Sequence, residues 1–523
     1  MNKKLMAAVA FIAATGMVLG GCGKKEESSA PQGEIILAED GTIYPMSASE
    51  GELSLSVFTP IDSETEKIKY WSEATGVKLE FASSKASEAL SLMLASNDLS
   101  DVIIADLATQ PGGVQKYADD GVIVDITEHI DEYAPNLKAW FDKDETIRKM
   151  ATTDDGKHYF FPCIRAEAVL RSYRGFVARK DLLDKYGLTE PETIEEWENV
   201  LKTFKDNGMS APLSYDMTAF EPAGGFMSAY GVIPNFYLEN GEVKYGYLED
   251  GMKEALKTLS RWYSEGLLDK DIINASSNQD LNLTNNKTGM TFLTSGGGMG
   301  KYLRPHNGGD ESFDLVGLKL PVLNKGDKPK FSSSTFPITT ANNGFITSQC
   351  ENIELAMRFL DFGYSEEGNM LMNFGKEGVS YEMVDGYPKY TELIMNNPDG
   401  KSVGDTMTEY FFSNWAGPFA QDVRYIEQYN QFPRQQEALK LWGEMMTMES
   451  TMPQVTFTTE ETAKISSIMN NINTCANENM FKFIMGIKSV DADYEAFVAE
   501  LKAFGIDEAI EIYKAALTRY NNR

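Results

Sequence analysis

The chain has 523 residues, 42% of them hydrophobic, and carries 78 acidic against 48 basic side chains, a formal net charge of −30. That balance excludes a binder of nucleic-acid backbones, which needs a basic surface. The length exceeds what a single core sustains, so two lobes or more are expected.

Lys3 and Lys4 precede a charge-free apolar run over residues 5–19, which ends in Leu19-Gly20-Gly21-Cys22. This is the layout of a secretory signal over 1–21, and the run is too short for a membrane span. Its end resembles the bacterial lipobox, which implies cleavage before Cys22 and a diacylglyceryl group on that thiol. Loss of Lys3 and Lys4 takes the charge of the mature chain to −32. Residues 22–51, with Lys24, Lys25, Glu26, Glu27, paired serines and Pro31, read as a lipidated N-terminus and flexible stalk. Nothing after Cys22 approaches eighteen consecutive apolar residues, so the body is expected to be tethered and not to span the membrane. Cys163, Cys350 and Cys475 are an odd set with no zinc spacing, and imply no disulfide framework.

From Leu53 the sequence alternates as a strand, then enters a helix through Ile68, Trp71 and Ala74 that Gly76 ends. A strand over 77–81, a helix over 86–94 and a short apolar strand over 101–105 follow. Alternating strands and helices predict a doubly wound α/β lobe, whose ligands lie beyond the carboxyl ends of the strands. Thr59 and Asp106 occupy such positions. Helical spacing returns at 194–204 and 252–263, with Gly208 and Gly266 as stops. Residues 288–293 read as a buried strand leading to Gly296-Gly297-Gly298, a turn that departs from the phosphate-loop pattern. Strand character recurs at 313–320 and 341–346, and helices are predicted over 465–483 and 494–513. Trp71, Trp197, Trp262 and Trp442 fall on predicted helices and read as core. No period of 20–50 residues recurs.

His129, His158 and His306 stand outside any metal or nucleophile motif, so no enzyme is read here, with a glycoside hydrolase as the catalytic alternative.

Several phrases, in order, are similar to the family 1 extracellular solute-binding proteins, in particular the large aldouronate- and alginate-binding lipoprotein branch. They include residues 92–101 and 117–125, Tyr133-Ala134-Pro135-Asn136 and Asp155-Gly156-Lys157-His158-Tyr159. Further along come 179–183, 190–197, 364–368, 373–381 and 482–486. The resemblance implies a two-lobed α/β periplasmic-binding-protein-like fold of type II, hinge-linked, with the ligand cleft between the lobes. Lobe I is expected at 52–163 plus 335–395 and lobe II at 164–334 plus 396–523, with crossings near 161–179, 318–343 and 375–415. It implies the substrate-binding component of an ABC importer, a monomer that captures an oligosaccharide for separate membrane permease and ATPase subunits. A peptide or other non-sugar solute is the alternative ligand, and a surface sensor the alternative role.

Carbohydrate clefts join aromatic faces to hydrogen-bonding side chains. Trp415, in a loop similar to one that places a tryptophan in the cleft of alginate-binding relatives, heads the candidates. Arg165, Arg171, Arg174, Arg179 and Lys180, at the first crossing, are placed either to meet an anionic ligand such as a uronate or to pair with carboxylates. Tyr173, Phe336 and Tyr381 complete the set. Some relatives carry a calcium loop, but Glu249-Asp250-Gly251 and Asn282, Asn285 and Asn286 lack its spacing, so no metal or cofactor is expected.

Overall fold

Leu53, Leu55 and Val57 alternate inward along β1 (Leu53–Phe58), whereas β3 (Val102–Ala105) is buried on both faces, as the central strand of a covered sheet must be. The computed structural model describes residues 34–36, 43–46, 53–60, 64–81, 88–218, 224–304, 312–413 and 417–523. Among these, β2 (Val77–Phe81) and β3 flank β1 in parallel, and β4 (Phe161–Ile164) closes the sheet on the far side of a long antiparallel strand, Ile338–Ile346. The helix Glu66–Thr75 makes the first crossover and ends at Gly76, whose φ of 71° suits glycine. Its Trp71 stacks on Phe359 at 4.4 Å beneath the sheet.

The second sheet has β5 (Arg174–Arg179) at its centre. Two short hairpins, β6 (Phe236–Glu239) with β7 (Glu242–Tyr245) and later β11 (Tyr381–Val384) with β12 (Tyr387–Tyr390), lie outside it. β8 (Met290–Thr294) and β9 (Leu315–Gly317) pair antiparallel with β5, and β10 is the strand Ile338–Ile346 of the first sheet. Phe176 of β5 holds Trp197, Tyr215, Phe226 and Phe292 around it at centroid distances of 5.0–5.2 Å. Such edge and tilted contacts add to the burial of the rings themselves. Trp442 fills the space a side chain at Gly175 would need, and its Nε1 donates to Leu318 O at 3.0 Å. All four tryptophans expected in the core are buried.

Helix ends follow their capping residues. Thr193 and Glu196 form a reciprocal capping box at Ile194–Asp206, and Thr458 with Glu461 repeats it at Thr459–Ile484. One expectation fails: the helix predicted over 494–513 is two, Val490–Ala503 and Ile506–Asn521, parted by Gly505 at φ 99°. The strand expected over 313–320 shortens to β9. Cys163, Cys350 and Cys475 are all buried and free.

The chain passes between the sheets from β4 to β5, and back from β9 to β10. Arg165 N donates to Pro337 O at 2.7 Å and Thr335 N to Arg171 O at 2.9 Å, so the two passages are tied by their backbones. A third segment joins them, with Ile164 N donating to Phe419 O at 3.0 Å and Gln421 N to Ile164 O at 2.8 Å. Beside these ties the Ser172 and Ser334 hydroxyls bond at 2.7 Å in a buried setting. The candidate site forms where these three segments meet.

Candidate functional site

A cavity of about 220 Å³ opens at this junction. Arg165 enters it directly after β4, and Leu170 and Tyr173 from the turn before β5. The end of β8 supplies Thr294, Ser295, Gly296 and Gly297, and the third segment Ser413 and Gln421. The helix Val423–Tyr429 adds Tyr425, Ile426 and Tyr429. Asp422 caps that helix by accepting from Arg424 N, and the four-residue spacing sets both tyrosines on one face.

The Gly296 turn is shaped by its neighbours. Thr294 Oγ1 accepts from Gly298 N at 3.0 Å, while Gln435 Nε2 donates to Ser295 O at 2.6 Å and to Gly296 O at 2.9 Å. The Tyr429 ring lies where a side chain at Gly296 would stand, so only glycine admits that ring. Gly296, Gly297 and Tyr429 also border a second cavity of about 410 Å³, lined further by Gly300, Lys301, Arg304, Ser402 and Phe432. The two form one concavity with Tyr429 at its waist.

The Arg165 guanidinium lies beside Cys163, Tyr425 and Tyr173. Its buried Nε has no hydrogen-bond partner, nor has the buried Ser295 hydroxyl. Burial raises the Tyr425 phenol above its ordinary value, with Arg165 opposing, and raises the Cys163 thiol likewise. Burial also raises Tyr429, against the field of Arg304. Both phenols and the thiol are therefore neutral donors at physiological pH. A further hollow of about 520 Å³ lies between the 108–115 turn, Thr152, Thr153, Thr339 and Asn343 on one side and residues 454–457, Thr462 and Ile465 on the other.

The sequence candidates separate clearly. Arg165 and Tyr173 come together in the first cavity. Asp106 Oδ1 accepts from Ala108 N at 3.0 Å and Thr109 N at 3.3 Å, a local turn at the edge of the 520 Å³ hollow. Burial raises its carboxyl despite those two bonds. Thr59 is buried in an apolar recess with Trp71, Phe412 and Pro418, whose free space of about 10 Å³ is too small for a sugar. Phe336 is half-buried against the main core and lines none of these cavities. Tyr381 is corrected to a core side chain: it is buried on the β11 hairpin, with its ring 5.9 Å from Phe374. Arg179 is likewise structural, held by Asp181 and Asn286, and Lys180 pairs with Asp184. Trp415 and Cys22 lie outside the described residues. Tyr425, Tyr429 and Gln421 went unread, although the Tyr425/Tyr429 spacing after a capping Asp422 is a visible signal.

Residues 59–370 match the family profile described as bacterial extracellular solute-binding protein. The chain is 23% identical over 553 residues to the fructooligosaccharide ABC transporter substrate-binding protein FusA of Streptococcus pneumoniae, covering 99% of this chain and 98% of that protein. It is 23% identical over 535 residues to lipoprotein LipO of Bacillus subtilis, covering 98% and 95% respectively. The structure superposes on that of alginate-binding protein AlgQ2 without calcium ion with a TM-score of 0.72 at 24% identity, covering 89% of this chain and 98% of that one. That superposition shows a shared fold.

Proposed function

This chain belongs to the bacterial extracellular solute-binding protein family, and on that premise we propose that it is the substrate-binding component of an ABC importer that captures an oligosaccharide between its lobes. The observation that carries the ligand class is the lining of the concavity at the crossing segments. Tyr173, Tyr425, Tyr429 and Phe432 offer ring faces for sugar C–H bonds, and Ser295, Ser402, Gln421 and Arg165 offer hydrogen bonds for hydroxyls. The substrate named for FusA is itself an oligosaccharide.

Lobe I at 52–163 plus 335–395 and lobe II at 164–334 plus 396–523 would close about the tied crossings by hinge motion. Delivery requires separate permease and ATPase subunits, which a monomeric binding protein meets at the membrane. The signal-like start and Cys22 support a lipid anchor on the outer face of the cell membrane, in keeping with the likeness to a lipoprotein. Among the described residues no helix is long and apolar enough to cross a membrane.

Thermal melting against a panel of oligosaccharides tests this. A ligand at a hundred times its Kd adds about 2.7 kcal/mol to native stability, which raises the midpoint by a few degrees. A rise with one glycan class supports the reading, whereas no rise with glycans and a rise with peptides overturns it.

A further inference from the structure

We infer that Asp154, Arg519 and Arg523 form a latch that works against capture: it clamps the proposed lobes along the hollow of about 520 Å³, and the concavity closes on its solute only as this contact gives way. The effect on binding rests on the oligosaccharide reading above, whereas the latch itself does not.

The three crossing segments lie side by side. Ile164 of the first pairs with Ile338 of the second on one side and bridges to Ala420 of the third on the other. The concavity borders the third segment, from which it takes Ser413 and Gln421. The hollow borders the second, from which it takes Ile338, Thr339 and Asn343. No residue lines both openings. They flank opposite edges of one band, so a rocking of the lobes about that band narrows one as it widens the other.

The ion cluster spans the hollow side. Asp154 sits in a turn fastened to the first sheet: Thr153 N donates to Lys157 O, Ile126 N to His158 O and Val124 N to Ile346 O, each at 2.9 Å. Arg519 and Arg523 belong to the body around the second sheet. There Phe226 packs on Phe176 of β5 and on Trp262, and the helix that carries Trp262, Asp250–Ser264, pairs Lys253 and Lys257 with Glu495 and Asp491 of Val490–Ala503. Tyr513 of the last helix stacks on Phe236 of β6 at 3.9 Å. Asp154 accepts from Arg519 Nε at 2.6 Å and from Arg523 Nε at 3.0 Å, and Thr459 Oγ1 donates to Asp119 Oδ2 at 3.1 Å beside them. Thr153, next to Asp154, and Thr456, which accepts from both arginines, line the hollow itself, so the cluster stands at its rim. With the lobes divided as above, no other ion pair between described residues crosses from one to the other. A largely buried link of this kind, present in one orientation of the lobes and absent in the other, biases the equilibrium between them.

The test uses the full chain in detergent, in two arms. In the first, spin labels on Thr109→Cys and Ala463→Cys, exposed positions beside the two walls of the hollow, report its width by pulsed electron resonance without any solute. Cys163, Cys350 and Cys475 are buried and stay unlabelled. Asp154→Asn and Arg523→Gln, each made in this background, are expected to move the separation to longer values. In the second arm, calorimetry uses kestose, raffinose and trigalacturonate as probes. Whichever binds the unaltered chain should bind each variant about three- to tenfold tighter, although the variants melt lower. Ser466→Trp sets a ring into the hollow with the ions intact and should tighten the same probe. An unchanged separation in both variants overturns the latch. A longer separation with equal or weaker probe binding shows the two openings to be unlinked and overturns the inference as well. With no probe bound, the separation decides the latch by itself, so its failure and that of the oligosaccharide reading stay distinct.

Discussion

Asp154 is the most informative residue to change outside the cavities. It precedes β4 at the first sheet, yet its carboxylate is held from the far end of the chain, by Arg519 on the last helix, Ile506–Asn521, and by Arg523 just past it. Arg519 Nε donates to Oδ2 at 2.6 Å and Arg523 Nε to Oδ1 at 3.0 Å, while Arg519 also reaches Glu461 at the start of Thr459–Ile484. The Arg523 side chain is 1% exposed, and Asp154 and Glu461 are 18% and 20% exposed. Asp154→Asn keeps the shape and removes one of the two carboxylates, leaving Arg523 with neutral partners, Lys149 O and Thr456 Oγ1. Breaking a fully buried pair costs about 3–5 kcal/mol, and the partial exposure here reduces that to about 2 kcal/mol. For a protein of this size the melting midpoint should fall by about 2–4 °C at pH 7. Burial alone would raise the Asp154 carboxyl, but the hydrogen bonds from Arg519 and Arg523 outweigh it and hold the group below its ordinary value. A depressed folded value means the stabilisation is complete above the unfolded value of about 3.9 and is lost as pH falls through the lower folded one. The difference between wild type and variant should therefore persist at pH 5–7 and shrink below about pH 3. Melting curves across pH measure it, and small-angle scattering reports whether the lobes separate further. An unchanged midpoint at pH 7, or an equal deficit at both ends of the range, would refute the reasoning.

Tyr429→Ala removes the ring at the waist of the concavity and should weaken oligosaccharide binding by about 1–3 kcal/mol in calorimetry, with little change in melting, since the ring is half-buried. Trp415→Ala is expected to cost more than about 1 kcal/mol of binding, and unchanged affinity would take that ring out of the site. Gly505→Ala places a side chain at φ 99° between two helices and should destabilise by about 1–3 kcal/mol in denaturant titration. Cys22→Ala should move the protein from the membrane fraction to the medium, and retention in the membrane would contradict lipid anchoring.

Period-two alternation at Leu53, Leu55 and Val57 marks β1 as a strand with one more deeply buried face, the unbroken run of β3 marks a strand buried on both, and the helices between them call for parallel pairing. Those signals are local, so they are legible in the sequence. The break at Gly505 was not, because apolar positions keep helical spacing across it, from Phe497 and Leu501 to Ala509 and Ile512. A single glycine in such a pattern costs only about 1 kcal/mol, which tertiary packing readily overrides. Tyr381 was misread for a related reason. The Gly378 to Tyr381 sequence looks like a surface turn, but Ser380 Oγ donates to Phe374 O at 2.6 Å and Tyr390 OH to Asn373 O at 2.9 Å, which fold the hairpin inward. The cavity itself gathers residues at positions 165, 173, 295, 413, 421 and 429. Strand-end rules point toward such a place, but the rings that face it depend on the rotation of Val423–Tyr429.

The basic run between Arg165 and Lys180 shows how far local charge alone can be taken. Arg179 and Lys180 have acids two and four residues ahead, Asp181 and Asp184, and both are paired in the fold. Arg179 also lies over the Phe313 ring at 4.0 Å, which fixes its stem. Between Arg165 and Arg174 the sequence holds one acid, Glu167, and that side chain is exposed at the outer start of a short helix. It makes no ion pair with Arg165, Arg171 or Arg174 among the described residues. In a chain this acidic, long-range partners are plentiful, so the failure of any described acid to pair with Arg165 is a property of the fold rather than of composition. The backbone ties explain it: Arg165 is fixed by its N–H on Pro337 O, one residue after Ile164 has been locked to the third segment, and the surrounding wall is built from tyrosines, serines and glycines. None of the described acids lines that wall, and the many exposed ones elsewhere keep the protein away from anionic neighbours.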